Sequence, residues 1–307
     1  MDKLNFVIES VDQKSPDHGT FLFNQLAHLR LQQEEGWWCY SVRKKDICAF
    51  IYFHLQEGKA VSPLRAPFGS FEMQQLLTDQ EFNRWIGFIL SDLQAKGCKE
   101  VQIRNYPLPY APQATRLIRK GLTIHRFACS EETSSILFVT KDSFESKLSV
   151  SKKQKLKKCM DRFSFAADSL TNLERIYTFI AETRHAKGYE LSMNWQQMQR
   201  TVQQLPNNFL LFKVEEGEQL AAAAICIRVS DTILYTFYYA HTARYDKLSP
   251  VTLLLHGIYQ HAANNGITQI DLGTSLADGK LNPSLLHFKK SVGGKSSPKY
   301  SFTKILE

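Results

Sequence analysis

Two polar side chains near the end of the 307-residue sequence have the chemistry to bind or activate a substrate. Asp271 follows an apolar residue in a predicted strand and precedes the loop Gly273-Thr274-Ser275. Its carboxylate could orient an amine or a nearby lysine, or it could accept a bond from the backbone of its own loop. His287 could act as a base near neutral pH, although a single histidine on a helix is more often structural.

Tyr238 and Tyr239 are consecutive residues of another predicted strand. Successive side chains of a strand point to opposite faces, so one phenol faces the core and the other a cleft or solvent. A phenol in a cleft could donate a hydrogen bond to substrate, whereas tyrosines in strands more often serve packing. The alternation does not decide which of the two faces the cleft.

Several kinds of chemistry lack their sequence signature. There is no Gly-x-Ser-x-Gly elbow, no Gly-x-Gly-x-x-Gly and no P-loop. The cysteines lie at 39, 48, 98, 129, 159 and 226, with no Cys-x-x-Cys pair and no histidine at ligand spacing. We therefore expect reduced thiols, mostly in the core, no metal site and no permanently bound cofactor.

The positive charge is concentrated in the second half of the chain. Residues 1–145 carry 17 basic and 17 acidic side chains, whereas residues 146–307 carry 21 basic and 13 acidic ones, so the net charge of +8 lies in the second part. This pattern fits either a solvated surface or a surface for a polyanion such as tRNA, nucleotide phosphates or an anionic membrane face. The lysine-rich run 152–158 has the same two interpretations.

The two halves repeat one layout of a helix, a glycine and a short buried strand. Gly97 and Gly266, which end the two helices, lie 169 positions apart, and a predicted two-strand hairpin precedes each helix. The repeat predicts two copies of one small α+β unit. We expect domains at 1–145 and 146–307, the second beginning with a basic linker helix.

Local signals place several further elements. Residues 20–33 are predicted as an amphipathic helix, 134–140 as the strand that closes the first unit, and 299–305 as a final strand. Ser249 is expected to cap a helix that Pro250 opens, and Asn282 to cap the last helix. Antiparallel strands with one helix–strand crossover per unit are typical of α+β folds.

The order of these elements resembles the GNAT acyltransferase fold, and two such units joined by a lysine-rich helix resemble the Fem family of peptidyltransferases and related tandem acetyltransferase-like proteins. Four stretches carry the resemblance: residues 144–149 leading into the lysine run 152–158, Asp271-Leu272-Gly273-Thr274-Ser275, residues 286–294 with Phe288-Lys289 and a Gly293-Gly294 ending, and Ala66-Pro67-Phe68-Gly69-Ser70.

The resemblance implies that an amine attacks a thioester or ester carbonyl directly, with no covalent nucleophile on the protein. It places Lys289 where a cation offsets the charge of the oxyanion; the alternative is that Lys289 and Lys290 only complement a helix C-terminus. The expected catalytic residues are Lys289, Tyr239 and Asp271, and the expected substrate-binding residues are Pro67, Phe68, Gly69, Tyr238, Ser275, His287 and Phe288.

The acyl donor is open at this stage. Acetyl-CoA enzymes of this fold bind pyrophosphate with a glycine-rich loop at a helix N-terminus. The matching stretch is 244–249, where Arg244 and Ser249 fit but Lys247 occupies a glycine position. The donor is therefore either acyl-CoA or aminoacyl-tRNA, with Arg244, Lys247, Ser249 and Lys152 as candidate phosphate-binding residues; the same stretch could also be an ordinary turn.

Together these features predict a bacterial tandem GNAT N-acyltransferase of the Fem-like group, with an amine acceptor such as a cell-wall precursor peptide. The alternatives are a CoA-dependent N-acetyltransferase of a small amine and a non-catalytic protein that keeps the fold to bind a ligand. The sequence shows no signal peptide and no membrane-spanning stretch, so we expect a cytoplasmic protein, with tRNA and an anionic membrane surface as candidate partners. The oligomeric state stays open.

Overall fold

The computed structural model describes residues 4–277 and 279–306. Its internal contacts divide the chain into two compact units. The first comprises the chain up to Glu132 together with the segment from Ser297 onward, and the second comprises Thr133–Ser296. The sequence predicts a domain boundary between residues 145 and 146. That boundary refers to domains that can fold independently, and it stays a prediction.

The first unit begins with a meander and continues into two helices that flank a short strand. Its elements are β1 (Asn5–Ser10), α1 (Leu26–Gln32), β2 (Trp37–Arg43), β3 (Ile47–Gln56), β4 (Lys59–Ser62), β5 (Glu72–Met73), α2 (Asp79–Ala95), β6 (Glu100–Arg104) and α3 (Pro112–Ile124). The predicted helix over 20–33 is shorter than expected, because Leu22–Asn24 form a separate 3-10 turn before α1.

The second unit starts within a long strand and repeats the order of strands and helices. Its elements are β7 (Ala128–Phe138), α4 (Phe144–Lys147), α5 (Val150–Met160), β8 (Ser164–Asp168), α6 (Leu173–His185), α7 (Trp195–Gln204), β9 (Phe209–Glu216), β10 (Gln219–Ser230), β11 (Ile233–His241), α8 (Val251–Asn264), β12 (Gln269–Thr274), β13 (Leu276–Ala277), β14 (Lys280–Leu281) and α9 (Pro283–Ser291). The last strand, β15 (Lys295–Ile305), returns to the first unit, where residues 301–305 pair with β6.

The two units have the same sheet topology. In the first, β1, β2, β3 and β4 are antiparallel neighbours, β4 pairs with β6 in parallel, and β15 pairs with β6 antiparallel. In the second, β8 to β11 form the meander, β11 pairs with β12 in parallel, and β7 pairs with β12 antiparallel. The structure thus confirms two copies of one α+β unit.

The prediction of which strand closes the first unit is wrong. Residues 134–140 were expected to close the first unit, but residues 134–138 of β7 pair with β12 in the second unit. The strand that closes the first unit is β15, from the end of the chain. Apolar patterning identifies a buried strand without identifying its partner, because pairing between distant segments is set by the whole sheet.

Local signals at the crossover helices explain where these helices begin and end. Thr78 and Glu81 form a capping box at the start of α2. Gly97 and Gly266 follow α2 and α8 with φ of 78° and 72°, a left-handed conformation that glycine adopts without strain. The expected cap at Asn282 is confirmed, because its side chain accepts a bond from the Leu285 amide.

Helix α5 packs inside the second unit. Leu156 and Cys159 are buried in the same apolar cluster as residues of α8, and the Cys159 thiol contacts the Leu248 carbonyl. Met160, at the end of the helix, is 44% exposed, and Val150, at its start, is 74% exposed. In the described part of the chain, no helix is both long enough and apolar enough to cross a bilayer.

Gly257 tests how closely α8 approaches β8. A Cβ atom at this position would lie 2.3 Å from the ring of Phe165, so Gly257→Ala should lower the unfolding free energy by about 1–3 kcal/mol. Gly87 in α2 is the control, because its added Cβ would meet only one atom, at 3.9 Å; Gly87→Ala should raise the unfolding free energy by about 0.5–1 kcal/mol. Urea denaturation measures both, and equal effects of the two substitutions would contradict the packing.

Candidate functional site

The parallel ladder between β11 and β12 is short. It joins Ile233 to Gln269, Leu234 to Ile270 and Tyr235 to Asp271, and it ends there although β11 continues to His241 and β12 to Thr274. Tyr235 and Asp271 therefore mark the point where β11 and β12 separate, and the candidate functional residues are located relative to this point.

Asp271 fixes the loop that leaves β12. It is buried, and its Oδ1 accepts bonds from the Ser134 hydroxyl at 3.1 Å and from the Gly273 amide at 2.7 Å. Gly273 has a φ of 75°, and a Cβ there would lie 3.4 Å from the Tyr235 ring. Of the two roles considered for Asp271, the structure shows the bond to its own loop.

Lys289 is the central charged group of the second unit. Its side chain is 1% exposed on α9, and its Nζ donates to the carbonyl oxygens of Gly273 at 2.9 Å and Thr274 at 2.7 Å. An ammonium group has three N–H donors. Among the described residues the third donor has no partner, so it can hydrogen-bond a substrate oxygen.

Burial determines the protonation of Lys289. It lowers the lysine pKa to about 8, the Asp271 carboxylate opposes the shift and the Arg184 guanidinium adds to it. Because this pKa lies close to neutral pH, Lys289 is mostly a cation at pH 7 and readily exchanges its proton. The buried position therefore favours a functional role over simple complementation of the helix C-terminus.

The two neighbouring tyrosines, Tyr238 and Tyr239, have different environments. The Tyr238 side chain is buried, and its hydroxyl contacts Ser192 Oγ at 2.6 Å and accepts from the Met193 amide at 2.9 Å. Tyr239 is half-buried against the core, and its hydroxyl makes no hydrogen bond within the described chain. Burial raises the pKa of Tyr239 to about 12, so the phenol keeps its proton and can act as a donor.

Tyr235 and Arg184 lie in the same region and were not predicted. Tyr235 is the last residue of β11 paired with β12, and burial and Asp271 raise its pKa. Arg184, near the end of α6, donates to the Tyr239 carbonyl at 3.4 Å. Strand alternation could not have identified Tyr235 from the sequence, because the register of β11 shifts by one residue between Tyr235 and Tyr238. No local pattern distinguishes Arg184 from the other basic residues.

The predicted substrate residues after β12 have different environments. Ser275 is buried, its backbone bonds Thr133 and Asn282, and its hydroxyl has no partner among the described residues. His287 is exposed on α9, whereas Phe288 is half-buried against the core. The structure therefore brings Ser275 next to the carbonyls that hold Lys289, and it leaves His287 at the surface.

Two of the four candidate phosphate-binding residues meet at the start of α8. Lys152 Nζ donates to Ser249 Oγ at 3.0 Å and lies 4.6 Å from the centre of the Phe288 ring. Burial lowers the pKa of Lys152. The first turn of α8 has no acidic residue, so this helix end and the lysine together favour an anion.

Ser249 does not cap α8 as expected. Its φ is 61°, and its hydroxyl contacts Lys152 and the Thr252 hydroxyl instead of a backbone amide of the helix. The Lys152 ammonium group donates to the Ser249 hydroxyl oxygen, which would otherwise accept a bond from a backbone amide of the helix.

Arg244 and Lys247 are not brought into this cluster. Arg244 donates to Gln219 Oε1 at 3.0 Å and stacks over Tyr245, whereas Lys247 is exposed. Their role in donor binding stays a prediction.

Pro67, Phe68 and Gly69 lie in the first unit, where packing accounts for two of them. Phe68 is buried and meets four aromatic rings edge-on; these belong to Phe21, Phe23, Tyr106 and Tyr110. A Cβ at Gly69 would lie 2.7 Å from Ser62 Oγ, so glycine permits the close approach. Pro67 is half-buried. A substrate role for these residues stays a prediction.

The described residues contain no cluster of three or more histidine, cysteine or acidic side chains that could hold a metal ion. The six cysteines are free thiols, and only Cys129 among them is exposed.

Comparisons with known proteins identify the fold. Residues 150–289 match the acetyltransferase (GNAT) domain family. A structure of FemX superposes with a TM-score of 0.70 at 12% identity, covering 95% of this chain and 94% of that one. A comparison with curated proteins finds no match.

Two further structures share the fold at lower similarity. The C-terminal domain of a putative lysylphosphatidylglycerol synthetase from Agrobacterium fabrum has a TM-score of 0.55 at 12% identity, covering 83% of this chain and 81% of that one. A tandem GNAT protein from the clavulanic acid biosynthesis pathway has a TM-score of 0.51 at 9% identity, covering 99% and 98%. The predicted α+β, tandem GNAT, Fem-like fold is therefore confirmed.

The environment of Lys289 predicts a specific dependence of stability on pH. Its pKa is about 8 in the folded protein against an ordinary value of 10.5. Between these values the unfolded chain holds the proton and the folded chain does not, so the unfolding free energy rises with pH. From pH 7 to pH 10, the wild type should gain about 2 kcal/mol relative to Lys289→Met.

Urea denaturation of both proteins across this range measures the difference. Lys290→Met is the control, because Lys290 is the exposed neighbour on the same helix and should show no such gain. A difference between wild type and Lys289→Met that stays constant from pH 7 to pH 10 would contradict the burial of the ammonium group.

Proposed function

We propose that this protein is a Fem-like N-acyltransferase that moves an aminoacyl group from an aminoacyl-tRNA to the amine of an acceptor, a cell-wall precursor peptide. The observation that carries the proposal is the buried Lys289 ammonium, which two backbone carbonyls hold while its third N–H stays available. The fold similarity to FemX and the match of residues 150–289 to the acetyltransferase (GNAT) domain support acyl transfer to an amine.

Direct attack of the amine on the ester carbonyl forms a tetrahedral oxyanion, with no covalent intermediate on the protein. The Lys289 N–H donates to this oxygen, and its positive charge stabilises the oxyanion more than the neutral carbonyl. Because the Gly273 and Thr274 carbonyls already fix the ammonium group, little reorganisation is needed when the charge develops.

Asp271 and Tyr239 have supporting roles in this mechanism. Asp271 positions the lysine indirectly, since its carboxylate holds the Gly273 amide and its charge favours the ammonium form of Lys289. The Tyr239 phenol stays protonated and can donate a hydrogen bond to the substrate. The ester C–O bond then breaks, and the 3′-oxygen of the tRNA leaves as a hydroxyl because it takes up the proton that the attacking amine loses.

The charge of the second unit supports a polyanionic donor. Lys153, Lys157 and Lys158 are exposed on α5, and Lys247 is exposed before α8. Such side chains bind phosphates without needing a fixed geometry. One of the similar structures belongs to a putative lysylphosphatidylglycerol synthetase, and lysylphosphatidylglycerol carries an aminoacyl group.

A CoA-dependent N-acetyltransferase is the second candidate. Residues 150–289 match the acetyltransferase (GNAT) domain, and Lys152 lies beside Ser249 at the start of α8, where a pyrophosphate would bind. Lys247, in a glycine position, argues against the close approach of phosphate to the backbone that this donor needs.

Replacing Lys289 tests the catalytic assignment. Lys289→Gln should lower kcat by about 10²–10³-fold with little change in KM, because the lost interaction is strongest in the transition state. Initial rates of transfer from aminoacyl-tRNA measure this, with Lys290→Gln as the matched exposed control. Unchanged turnover in Lys289→Gln would show that the lysine has no part in the chemistry.

Binding measurements separate the two donors. Calorimetry with acetyl-CoA should give no heat, whereas tRNA should bind with an affinity that falls steeply between about 50 and 200 mM salt. Micromolar binding of acetyl-CoA together with salt-independent or absent tRNA binding would select the acetyltransferase. If both donors bind but no amine is acylated, the protein is a ligand-binding member of the fold.

A further inference from the structure

Arg184 is a cation that has no anionic partner among the described residues of the second unit. It lies near the end of α6, its side chain is half-buried, and its Nη2 donates to the Tyr239 carbonyl at 3.4 Å. The guanidinium carbon lies 5.6 Å from the centre of the Tyr238 ring. Among the described residues, no carboxylate comes within ion-pair distance of Arg184, and the hydrogen bond that it makes is to a backbone carbonyl.

The direction of the Arg184 side chain is set by its two contacts. Because the guanidinium lies over the Tyr238 ring and bonds the Tyr239 carbonyl, it lies beside the part of β11 that no longer pairs with β12. A planar group stacked on an aromatic ring keeps its edge N–H donors free. These donors match the two oxygens of a carboxylate.

The same region contains other donors and a second cation. The Arg184 charge adds to the lowering of the Lys289 pKa, and it opposes the rise that burial causes in the pKa values of Tyr235 and Tyr239. The Ser275 hydroxyl is buried without a partner in the described chain. Asp271, the carboxylate of this region, is bonded to Ser134 and Gly273.

We propose that Arg184 forms a subsite for an anionic oxygen group of the acceptor, specifically a carboxylate on the same molecule as the amine that is acylated. This inference rests on the proposed function, which identifies the acceptor as an amine. Two cations with several hydroxyl donors favour a carboxylate over an ammonium group. The acceptor class is therefore an amino acid or peptide with a free carboxylate, and a plain alkylamine would bind weakly.

The subsite also has a consequence for the reacting amine. An acceptor ammonium group near Arg184 and Lys289 is destabilised by like charge, so its pKa falls and the neutral, nucleophilic form is favoured. The carboxylate provides the binding energy that brings this amine into a cationic site. Recognition and activation then come from the same pair of cations.

Two probes that differ in one group test the subsite. Nα-acetyl-L-lysine and Nα-acetyl-L-lysinamide carry the same amine, and only the first has a carboxylate. In calorimetric titrations without donor, the wild type should bind the acid at least about 10-fold more tightly than the amide. Arg184→Gln should lose this preference, and Lys187→Gln, which removes an exposed charge from the following turn, should keep it.

Other results would overturn the proposal. Equal binding of the two probes by the wild type, no binding of the acid, or an unchanged preference in a folded Arg184→Gln would each exclude a carboxylate subsite at Arg184. Thermal melting checks that the variant folds, and Arg184→Met, which also removes the charge, replaces it if Arg184→Gln does not fold. Inorganic phosphate that binds through Arg184 while the acid does not would show that the subsite takes phosphate.

The test is independent of the transfer reaction. A carboxylate preference that depends on Arg184 with no acylation of any amine would overturn the proposed function and leave the subsite. Acylation of amines with no preference for the acid would overturn the subsite and leave the proposed function.

Discussion

The structure of the second unit depends on the need to satisfy a buried ammonium group. Lys289 is almost completely removed from water, and its charge is tolerated because two carbonyl oxygens accept hydrogen bonds from its ammonium group. Those carbonyls point inward because Gly273 adopts a left-handed conformation and Asp271 holds its amide. The Asn282 cap then fixes the helix that delivers the lysine. A chain of ordinary local interactions therefore positions one reactive cation.

The duplicated fold uses its two crossover helices differently. The first turn of α2 carries Asp79 and Glu81, and Thr78 and Glu81 already satisfy its free amides. The first turn of α8 has no acidic residue, and Lys152 lies beside it. Since an anion binds where amides are free and the local charge is positive, the start of α8 favours an anion and the acidic first turn of α2 disfavours one.

Both ends of the proposed reaction use positive charge in the second unit. Exposed lysines on α5 offer a diffuse field for a polyanionic donor, whereas Lys289 and Arg184 act at short range in a buried setting. Charges in water are screened and select weakly, whereas charges shielded from water select strongly. In the proposed reaction the surface would supply attraction, and the buried Lys289 and half-buried Arg184 would supply catalysis and specificity.

Neighbouring residues encode the repeated α+β layout, the glycines that end α2 and α8 and the cap at Asn282, so these features could be predicted from the sequence. The Phe288-Lys289 segment is indicated by a family resemblance. Packing between distant segments set which strand closes each unit, that the Tyr238 hydroxyl contacts Ser192 while Tyr239 packs against the core, and that Lys152 bonds the Ser249 hydroxyl. It also brought Arg184 and Tyr235 to the site. Those outcomes depend on contacts between residues far apart in the chain, and local propensity carries no information about such partners.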